Sequence, residues 1–561
     1  MAVKCLPRGR AAAGPAITGQ KVRIDMTRAH TLGRTAVAGI LGVIIVLVAA
    51  TLPHPADAQA EAPRRQPNII FILNDDQRYD AMGFLDPALN TPNMDRIARE
   101  GVYFPNAFVT TALCSPSRAS ILTGQYMHNH GIADNNIKFR PGTFFFPMAL
   151  QAAGYRTAFI GKWHMGGHSD DPQPGFDRWI SFKGQGDYLP DNGKGVRHTL
   201  NIDGQQVERK GYITDELNAY ALDWLKHQNG QQPFFLYLSH KAVHADFIPA
   251  KRHEGTVSRD AIRLPDSMAD TPENYEGKPR WTKDQRNSWH GVEFPYHSTL
   301  DVVDFKLRYN ETLSAVDEGI GEILATLQKQ GMLDNTIVVM MGDNGFLFGE
   351  HGMIDKRSAY EESMRVPLIA FGGGMPKGRV VNQMVANIDL APTFLALAGV
   401  TVPEGVRFDG MSYADLLMGR PLARPWRTVL NYEYYWEYNY PQTPTTFALR
   451  GDRYKYIQYH GIWDTEELYD LQVDPKEMHN LIADPKLRPV VKKMRAELFA
   501  GLDPRQGRSS VTFTERLDEG SVLRNRNGSG PGEFPDRWLR DGTEGDLKNG
   551  VKAEGGKPAS H

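Results

Sequence analysis

The sequence predicts an α/β fold, in which a mostly parallel sheet is flanked by helices and followed by a smaller C-terminal domain with an antiparallel sheet plus a helix. Two observations lead to this prediction. Continuous apolar runs, typical of strands buried on both faces, alternate with helical patterns up to about residue 399. Beyond that point the chain becomes aromatic and strand-like, and a final helical pattern follows at residues 489–500.

Apolar runs rich in β-branched and aromatic residues predict the strands of the large sheet. They occupy residues 68–73, 234–238 and 335–341, with a shorter strand inside "GYRTAFIGKWH" at 154–164. Helices are predicted in "TPNMDRIAREG", in "AVDEGIGEILATLQKQG" at residues 315–331 and in "DLAPTFLALAG", because each has a helical apolar pattern and ends at glycine. Ligands of such sheets gather beyond the carboxyl ends of the strands, where this chain places its polar clusters.

The overall charge excludes some classes of function. Sixty-four Lys and Arg residues nearly balance 66 Asp and Glu residues, which gives a formal net charge of -2 in a chain of 561 residues. Such a balance argues against a protein that binds nucleic acid or a membrane surface through bulk charge.

The N-terminal segment resembles a secretory signal peptide. Arg28 and Arg34 precede an apolar run at residues 36–50, and Ala-x-Ala sites follow near Ala58. We therefore expect residues 1–60 to be a signal peptide, with Met26 as a possible start, and the mature protein to be secreted or periplasmic without stable membrane insertion. A membrane anchor is the alternative, because the apolar run approaches spanning length.

The remaining domain boundaries follow from composition. Residues 66–400 form the predicted catalytic domain and residues 401–500 the predicted C-terminal α+β subdomain. Residues 501–561 are rich in glycine and charge, so an extended or disordered tail is expected there.

The chain has two cysteines, and removal of the signal peptide would remove Cys5. Cys114 would then be the single cysteine of an exported protein and could not form an internal disulfide. It is either a buried, inert thiol or a residue that does not remain a thiol. Pro116 suits the first turn of a helix that would end at Gly124, and Arg118 would lie one turn along, so this helix start could bind an anion.

Acidic residues follow two of the predicted buried strands. Asp75 and Asp76 come after the first strand, and Asp343 and Asn344 come after "NTIVVMMG". Four oxygen donors at two strand ends suit a hard divalent cation such as Ca²⁺ or Mg²⁺. Helix capping or turn formation is the alternative for either pair alone.

Basic residues follow other strand ends. Lys162 and His164 lie in "GKWH", His240 and His244 lie in "SHKAVH", and Lys356 lies in a loop after the second acidic turn. Each of these residues alone would be typical of a solvated surface; their positions at strand ends make them candidates for the same pocket.

Several motifs together resemble those of one enzyme family. "CSPSRASILTG" resembles the C-x-P-x-R…T-G signature of the formylglycine-dependent type I sulfatases, and "GYRTAFIGKWH" resembles their second signature. "NIIFILNDDQ", "TPNMDRIAREGVYFPNAF", "GDNG" and "ELYDLQVDPKEMHNL" resemble further blocks in the same order. The resemblance covers about residues 67–489 and implies the arylsulfatase-like fold of the alkaline phosphatase superfamily.

The resemblance also implies the cofactors. Cys114 would be oxidised to formylglycine (3-oxoalanine) by a formylglycine-generating enzyme. The hydrated aldehyde would attack the sulfur of a sulfate ester and form a covalent sulfo-enzyme, and its second hydroxyl would then allow release of sulfate. Asp75, Asp76, Asp343 and Asn344, with residue 114, would bind Ca²⁺ or Mg²⁺.

The remaining roles come from the same resemblance. Arg118 would hold the hydrated formylglycine, Lys162 would neutralise sulfate oxygens, and His164 would act as the base on the second hydroxyl. His244 and Lys356 would serve the leaving-group oxygen, one of them as general acid. The segment "SHKAVH" departs from the usual pattern, so His240 stays an alternative to His244.

The function expected is hydrolysis of a sulfate ester on a sulfated carbohydrate or aryl sulfate. "FVTTALCSPSRASILTGQYMHNHGI" resembles the region in sulfatases acting on N-acetylglucosamine 6-sulfate and heparan-type chains, which are glycosaminoglycans. Trp436 and Trp463 could stack on sugar rings or belong to the core of the small sheet. The alternatives are a phosphonate monoester or phosphodiester hydrolase with the same formylglycine, and a non-catalytic binding protein with this fold.

Overall fold

The computed structural model describes residues 65–166, 169–191, 193, 196–438, 440–460 and 464–502. The expected signal peptide and residues 503–561 of the expected tail lie outside these ranges, as do Cys5 and Trp463. Within the described ranges, no helix is both long enough and apolar enough to cross a membrane.

The strands carry labels in chain order. They are β1 (Asn68–Asn74), β2 (Val102–Tyr103), β3 (Ala107–Phe108), β4 (Arg156–Lys162), β5 (Arg178–Phe182), β6 (Thr199–Ile202), β7 (Gln205–Glu208), β8 (Phe234–Ser239), β9 (Thr336–Gly342), β10 (Leu368–Gly372), β11 (Arg379–Val380), β12 (Val385–Ala386), β13 (Val429–Tyr434), β14 (Thr445–Gly451), β15 (Tyr454–His460) and β16 (Glu467–Asp470).

The α-helices are α1 (Pro92–Glu100), α2 (Cys114–Thr123), α3 (Met127–His130), α4 (Phe146–Ala152), α5 (Ile213–Lys226), α6 (Pro272–Tyr275), α7 (Arg280–Asp284), α8 (Val302–Lys329), α9 (Glu361–Met364), α10 (Leu390–Ala398), α11 (Ala414–Leu417) and α12 (Arg488–Gly501). Short 3₁₀ helices lie at Lys251–His253, Arg259–Ala261, Asp266–Met268, Gln285–Asn287, Pro295–His297, Leu333–Asn335, Glu350–Gly352, Asn387–Asp389 and Pro485–Leu487.

The large sheet brings the carboxyl ends of its central strands to one edge. Its strand order, over the described residues, is β11-β2-β10-β9-β1-β8-β4-β5-β6-β7, and the neighbours from β9 to β5 are parallel. Leu73 of β1 lies opposite Ser239 of β8 and Met341 of β9. The residues that follow these strands therefore leave the sheet side by side, as the sequence predicts for a ligand site.

Alternate residues of β1 enter cores on opposite faces of the sheet. Phe71 packs with Phe394 of α10 on one face, where the two ring centroids are 5.3 Å apart. Ile70 and Ile72 belong to the core on the other face, together with Ile320 of α8. Because both faces are covered by helices, β1 is buried along its whole length, which explains its continuous apolar sequence.

The fold class predicted from the sequence is confirmed. The described chain has a large, mostly parallel sheet flanked by helices and a four-stranded antiparallel sheet in the order β13-β14-β15-β16. Helix α12 packs on the small sheet through Met494 and Leu498. Tyr432 and Ile457 of the small sheet join the same core as Phe71, so the boundary expected near residue 400 stays a prediction.

Helix α8 is longer than the predicted helix at 315–331. It begins at Val302, because the Asp301 side chain caps its first turn by accepting from the backbone N–H of Asp304. Gly331, with φ +66°, lies just beyond its last residue, as expected of a helix C-terminus. The early turns carry Tyr309, whose hydroxyl donates to the backbone oxygen of Asp76 at 3.0 Å.

Gly161 generates a prediction about stability. Its φ is +125°, and an added Cβ would overlap the Ser239 carbonyl oxygen of the neighbouring strand. We expect Gly161→Ala to lower the free energy of unfolding by about 3 kcal/mol or more, because backbone atoms of β8 would have to move. Urea denaturation measures this change.

Gly142→Ala is the matched control. Gly142 also has a positive φ of +80°, but no described atom lies within 4 Å of the added Cβ. We expect a loss of about 1 kcal/mol there, from backbone conformation alone. Equal losses in both variants would show that the close approach of β4 to β8 is not what requires glycine.

Candidate active site

Three buried carboxylates meet at the ends of β1 and β9. Oxygen atoms of Asp75, Asp76 and Asp343 lie within 4.8 Å of one another, and all three side chains are at most 1% exposed. The backbone N–H of Asp76 donates to Asp343 Oδ1 at 3.0 Å. Asn344 Nδ2 donates to Asp76 Oδ1 at 2.7 Å, so the four oxygen-bearing residues predicted from the sequence form one cluster.

Three basic side chains face this acidic cluster. Lys162 Nζ binds the Asp75 carboxylate, and Lys356 Nζ lies 2.6 Å from Asp76 Oδ1. Arg118 Nη2 lies 2.8 Å from Asp343 Oδ2. Each base comes from a different part of the chain, and the three positive charges offset the three buried carboxylates.

The donor set fits a hard divalent cation. The buried Asn344 Oδ1 has no hydrogen-bond partner among the described atoms, although its amide nitrogen has two. An orphaned carbonyl oxygen beside three carboxylates is costly unless a further group binds it. Oxygen donors of this kind suit Ca²⁺ or Mg²⁺, so the residues present fit the metal that the sequence predicts.

Cys114 is the first residue of α2 and lies against the acidic cluster. Its Sγ is 3.4 Å from Asp75 Oδ1 and 3.3 Å from Lys356 Nζ. Helix α2 then runs to Thr123 and ends at Gly124, whose φ is +67°, as the motif predicts. The helix start therefore places residue 114 at the centre of the charged groups.

The thiol of Cys114 is poorly suited to act as a nucleophile. Burial raises its pKa to about 12, and the neighbouring Asp75 carboxylate adds to this effect. A thiol nucleophile needs its thiolate form, which is scarce at neutral pH with such a pKa. The site therefore favours the alternative from the sequence, in which residue 114 does not remain a thiol.

Arg118 lies one helical turn after Cys114 and binds three segments of the sheet edge. Its Nε donates to Asp343 Oδ2 at 2.9 Å. Its Nη1 donates to the Lys162 backbone oxygen at 2.6 Å and to Ser239 Oγ at 2.7 Å. Arg118 therefore fixes α2 on the ends of β4, β8 and β9, in addition to facing the acidic cluster.

His164 lies next to Ser115. Its backbone oxygen accepts from Ser115 Oγ, and its Nδ1 lies 3.4 Å from the same hydroxyl. Its φ of +59° is unusual for a residue other than glycine and turns the chain back toward α2 just after β4. The imidazole is thus held one residue from position 114, at 2% exposure.

His240 and His244 have different surroundings. His240 is fully buried, and its two ring nitrogens lie 3.0 Å from Asn74 Oδ1 and 2.9 Å from Asn218 Oδ1. His244 Nε2 lies 3.9 Å from Asp76 Oδ2, and its Nδ1 lies 2.6 Å from the Ala245 backbone oxygen. The geometry thus brings His244, and not His240, to the acidic cluster.

The hydrogen bond of His244 fixes its tautomer. A carbonyl oxygen only accepts, so Nδ1 carries the proton and Nε2 of the neutral ring is an acceptor facing the site. Burial holds the pKa of His244 well below its usual range, and the nearby Lys356 and Lys162 act in the same direction. The ring is therefore neutral when the site is at rest.

The carboxylates differ in their affinity for protons. Burial alone would raise the pKa of Asp75, but Lys162, Arg118 and Lys356 together hold it below its ordinary value. Burial and the charge of Asp75 raise the pKa of Asp343 to about 7. Burial also raises the pKa of Asp76. One of these groups would retain a proton near neutral pH unless a cation takes its place.

Some residues of the site carry no motif signal. Gln185 accepts from Lys162 Nζ, Asn135 Oδ1 accepts from the Ser115 backbone N–H at 3.1 Å, and Tyr309 supports Asp76 from α8. Gln185 and Asn135 lie in loops, and Tyr309 lies in helical turns that the sequence did not predict. The reach of a loop side chain into a site depends on tertiary structure, so sequence pattern alone could not find these residues.

Comparisons with known proteins agree with this geometry. A family model described as sulfatase matches residues 67–400, and one described as the C-terminal part of N-sulphoglucosamine sulphohydrolase matches residues 349–502.

The chain belongs to the sulfatase family.

This sulfatase is similar to named enzymes over most of its length. An N-acetylglucosamine-6-O-sulfatase of Bacteroides thetaiotaomicron is 34% identical over 503 residues, covering 78% of this chain and 86% of that protein. An N-acetylglucosamine-6-sulfatase of Capra hircus is 30% identical over 489 residues, covering 79% of this chain and 83% of that protein.

A solved structure has the same fold. It is described as a complex with its substrate D-glucosamine-2-N,6-O-disulfate, and it matches with a TM-score of 0.71 at 32% identity over 79% of this chain and 98% of that chain. The protein is thus an enzyme that hydrolyses sulfate esters. Members of its family generally use formylglycine and a divalent metal, and this sulfatase has acidic residues that could bind one.

The raised pKa values generate a prediction for the metal-free protein. Asp343 binds its proton more tightly in the folded chain, with a pKa of about 7 against an ordinary 3.8. The stability it contributes is complete below pH 3.8 and is lost as the pH rises through about 7. We expect the Tm of the chelated protein to fall over this window and added Ca²⁺ to reduce the fall, measured by scanning fluorimetry.

The comparison with and without Ca²⁺ isolates the site. Glu362, whose pKa burial raises to about 8, has the same influence in both conditions because it lies outside the cluster. In Asp343→Asn the difference between the two pH profiles should shrink. Identical profiles of the unaltered protein in chelator and in Ca²⁺ would contradict a cation site among these carboxylates.

Proposed function

We propose that this sulfatase removes the 6-O-sulfate of a glucosamine unit in a sulfated saccharide, with a formylglycine formed from Cys114. The observation that carries the proposal is the position of residue 114, with its side chain against both Asp75 and Lys356. The likeness to two enzymes named for N-acetylglucosamine 6-sulfate supports the sugar, at 34% and 30% identity. The glucosamine disulfate in the similar solved structure points to the same class of substrate.

Residues around position 114 would bind and orient the sulfate group. A hydrated formylglycine supplies a hydroxyl nucleophile for the sulfur, and a divalent cation supplies positive charge next to it. We assign Asp75, Asp76, Asp343 and Asn344, with residue 114, to a Ca²⁺ ion, with Mg²⁺ as the alternative. Because these carboxylates are buried, little water would screen the charge of the cation, which would therefore interact strongly with the sulfate.

The basic residues would act on the oxygens of the sulfate and of residue 114. Lys162 is fully buried and presents its ammonium at the cluster, so it neutralises sulfate oxygens as charge develops. Arg118 lies one helical turn after residue 114 and binds Asp343 and Ser239, so it keeps residue 114 in place. His164, one residue away from that position through Ser115, takes a proton from the second hydroxyl so that sulfate leaves.

Lys356 is assigned as the donor to the leaving-group oxygen. Its ammonium carries protons and faces the site beside Sγ of residue 114 at 3.3 Å. His244 presents an unprotonated Nε2, so it accepts a hydrogen bond from the substrate and orients it. The tautomer of His244 thus supports Lys356, and not His244, as general acid in the first step.

Maturation would need a second enzyme. We propose that a formylglycine-generating enzyme oxidises Cys114 before the chain folds, because the folded chain buries this residue completely. Export through the signal peptide expected at residues 1–60 would then place the mature enzyme in the periplasm or outside the cell. Similar proteins named as extracellular sulfatases support this location.

Replacement of Cys114 tests the nucleophile. We expect Cys114→Ala, co-expressed with the maturing enzyme, to lose about 10⁴-fold or more in kcat on 4-nitrophenyl sulfate, because alanine cannot become the formylglycine nucleophile. Cys114→Ser should also be inactive in turnover, because serine has no second hydroxyl for release. Peptide mass spectrometry of the unaltered protein should find formylglycine, and full activity with an intact thiol would contradict the proposal.

A substrate panel tests the sugar. We expect the highest kcat/KM on N-acetylglucosamine 6-sulfate and N-sulfoglucosamine 6-sulfate, about 100-fold above their 3-O-sulfated isomers, because a fixed pocket orients one sulfate toward residue 114. Release of sulfate is followed by ion chromatography. A preference for an aryl phosphodiester or phosphonate monoester in parallel assays would instead favour the alternative function.

A further inference from the structure

Lys356 lies in a loop, and the residues on both sides of it make several buried contacts. Residues 354–358 contain no helix or strand and connect a 3₁₀ helix to α9. Asp355 and Arg357 on either side of Lys356 are charged, yet only 4% and 5% exposed. A free lysine side chain has about 2 kcal/mol of rotamer entropy, so placing its ammonium accurately requires a firm backbone.

The C-terminal part of the chain holds Arg357. Arg357 Nε donates to Glu437 Oε1 at 2.8 Å, and Arg357 Nη1 donates to Asp355 Oδ1 at 2.8 Å. The same Glu437 oxygen accepts from the Tyr434 hydroxyl at 2.9 Å. Tyr434 is the last residue of β13, so Glu437 connects the loop of Lys356 to the small sheet.

Two aromatic contacts complete the arrangement. The Arg357 guanidinium lies 3.7 Å from the centroid of the Tyr440 ring, and the His290 ring stacks on Tyr440 with centroids 4.6 Å apart. His290 Nδ1 lies 3.1 Å from Asp355 Oδ2. Asp355, Arg357, Tyr440 and His290 thus form a closed circle of buried contacts, which Glu437 joins through Arg357. We call these five residues the Arg357 circle.

We propose that Glu437 is a positioning residue for Lys356 and acts through the Arg357 circle. The inference rests on the proposed function, in which Lys356 protonates the leaving group. Glu437 touches Arg357 and Tyr434, not the acidic cluster, so its effect reaches the reaction only through the loop. A misplacement of a reacting group by about 1 Å can lower the rate about 100-fold. A loop that fixes the position of Lys356 therefore contributes to catalysis.

A positioning role predicts a dependence on the leaving group. An alcohol or a weakly acidic phenol needs a proton from Lys356 to depart, whereas 4-nitrophenol departs as a stable anion. Loss of Glu437 should therefore harm substrates with poor leaving groups and spare those with good ones. A purely structural link between the two sheets would affect all substrates equally.

The experiment uses the mature enzyme and a series of aryl sulfates, with a sulfated glucosamine as the poorest leaving group. In Glu437→Gln we expect kcat/KM to fall about 10- to 100-fold for the sugar and less than about 3-fold for 4-nitrophenyl sulfate. Lys356→Met should show the same trend. The double variant should match Lys356→Met, because both changes act on one step.

Two further variants distinguish an effect on the position of Lys356 from a general effect of misfolding. Arg357→Lys keeps the positive charge but loses the planar geometry, and it should show the same dependence on leaving group. Asp470→Asn is the matched control, because Asp470 is a buried carboxylate that pairs with Arg453 within the small sheet. It should show no dependence on the leaving group.

Clear results would overturn the inference. One such result is an equal loss of kcat/KM on all aryl sulfates in Glu437→Gln and Arg357→Lys. Another is a loss in the double variant that exceeds the loss in Lys356→Met alone. Either result would show that Glu437 does not act through Lys356, and neither would affect the proposed function. Absence of any sulfate ester hydrolysis by the unaltered mature enzyme would overturn the proposed function and this inference with it.

Discussion

The compensation of buried charge is the constraint on which the active site depends. Three buried carboxylates lie side by side at the ends of β1 and β9, where little water screens them and their mutual repulsion would be severe. Basic side chains from α2, β4 and the loop before α9 face them. The sheet supplies this meeting point, because parallel strands deliver the residues that follow them to a single edge.

This balance has a consequence for the sulfate ester. With three carboxylates against three basic groups, the protein side chains of the site are close to neutral, and a bound divalent cation would add two positive charges. Hydrolysis of a sulfate ester builds negative charge on the sulfate and on the leaving oxygen. An environment already arranged for that charge stabilises the transition state without reorganising during the reaction. The orphaned oxygen of Asn344 fits the same arrangement, since it has no hydrogen-bond partner within the part of the chain that the structure describes.

The sequence predicts the fold class and the strand ends well, for a physical reason. Apolar runs reveal buried strands, and parallel topology then brings together Asp75, Lys162 and Asp343 although they are distant in the chain. The choice between His240 and His244 could not be made this way, because both follow β8 and only the turn decides which ring faces the cluster.

The support of the site from elsewhere in the fold is not visible in the sequence. Glu437 pairs with Arg357 across 80 positions, and its segment is aromatic like much of the small sheet. Side-chain pairs between distant segments follow no periodic pattern, so the hydrophobic pattern of the sequence does not reveal them. The sequence motifs contain only residues near the reacting groups.

The most direct test of the central claim is anomalous diffraction from crystals of the mature enzyme grown with Ca²⁺. We predict a single strong peak bounded by the carboxylates of Asp75, Asp76 and Asp343 and by Asn344 Oδ1, next to a formylglycine at position 114. Absence of a peak there at saturating Ca²⁺, with Lys356 still bound to Asp76 in an active enzyme, would contradict the claim that a metal completes the charge of this site.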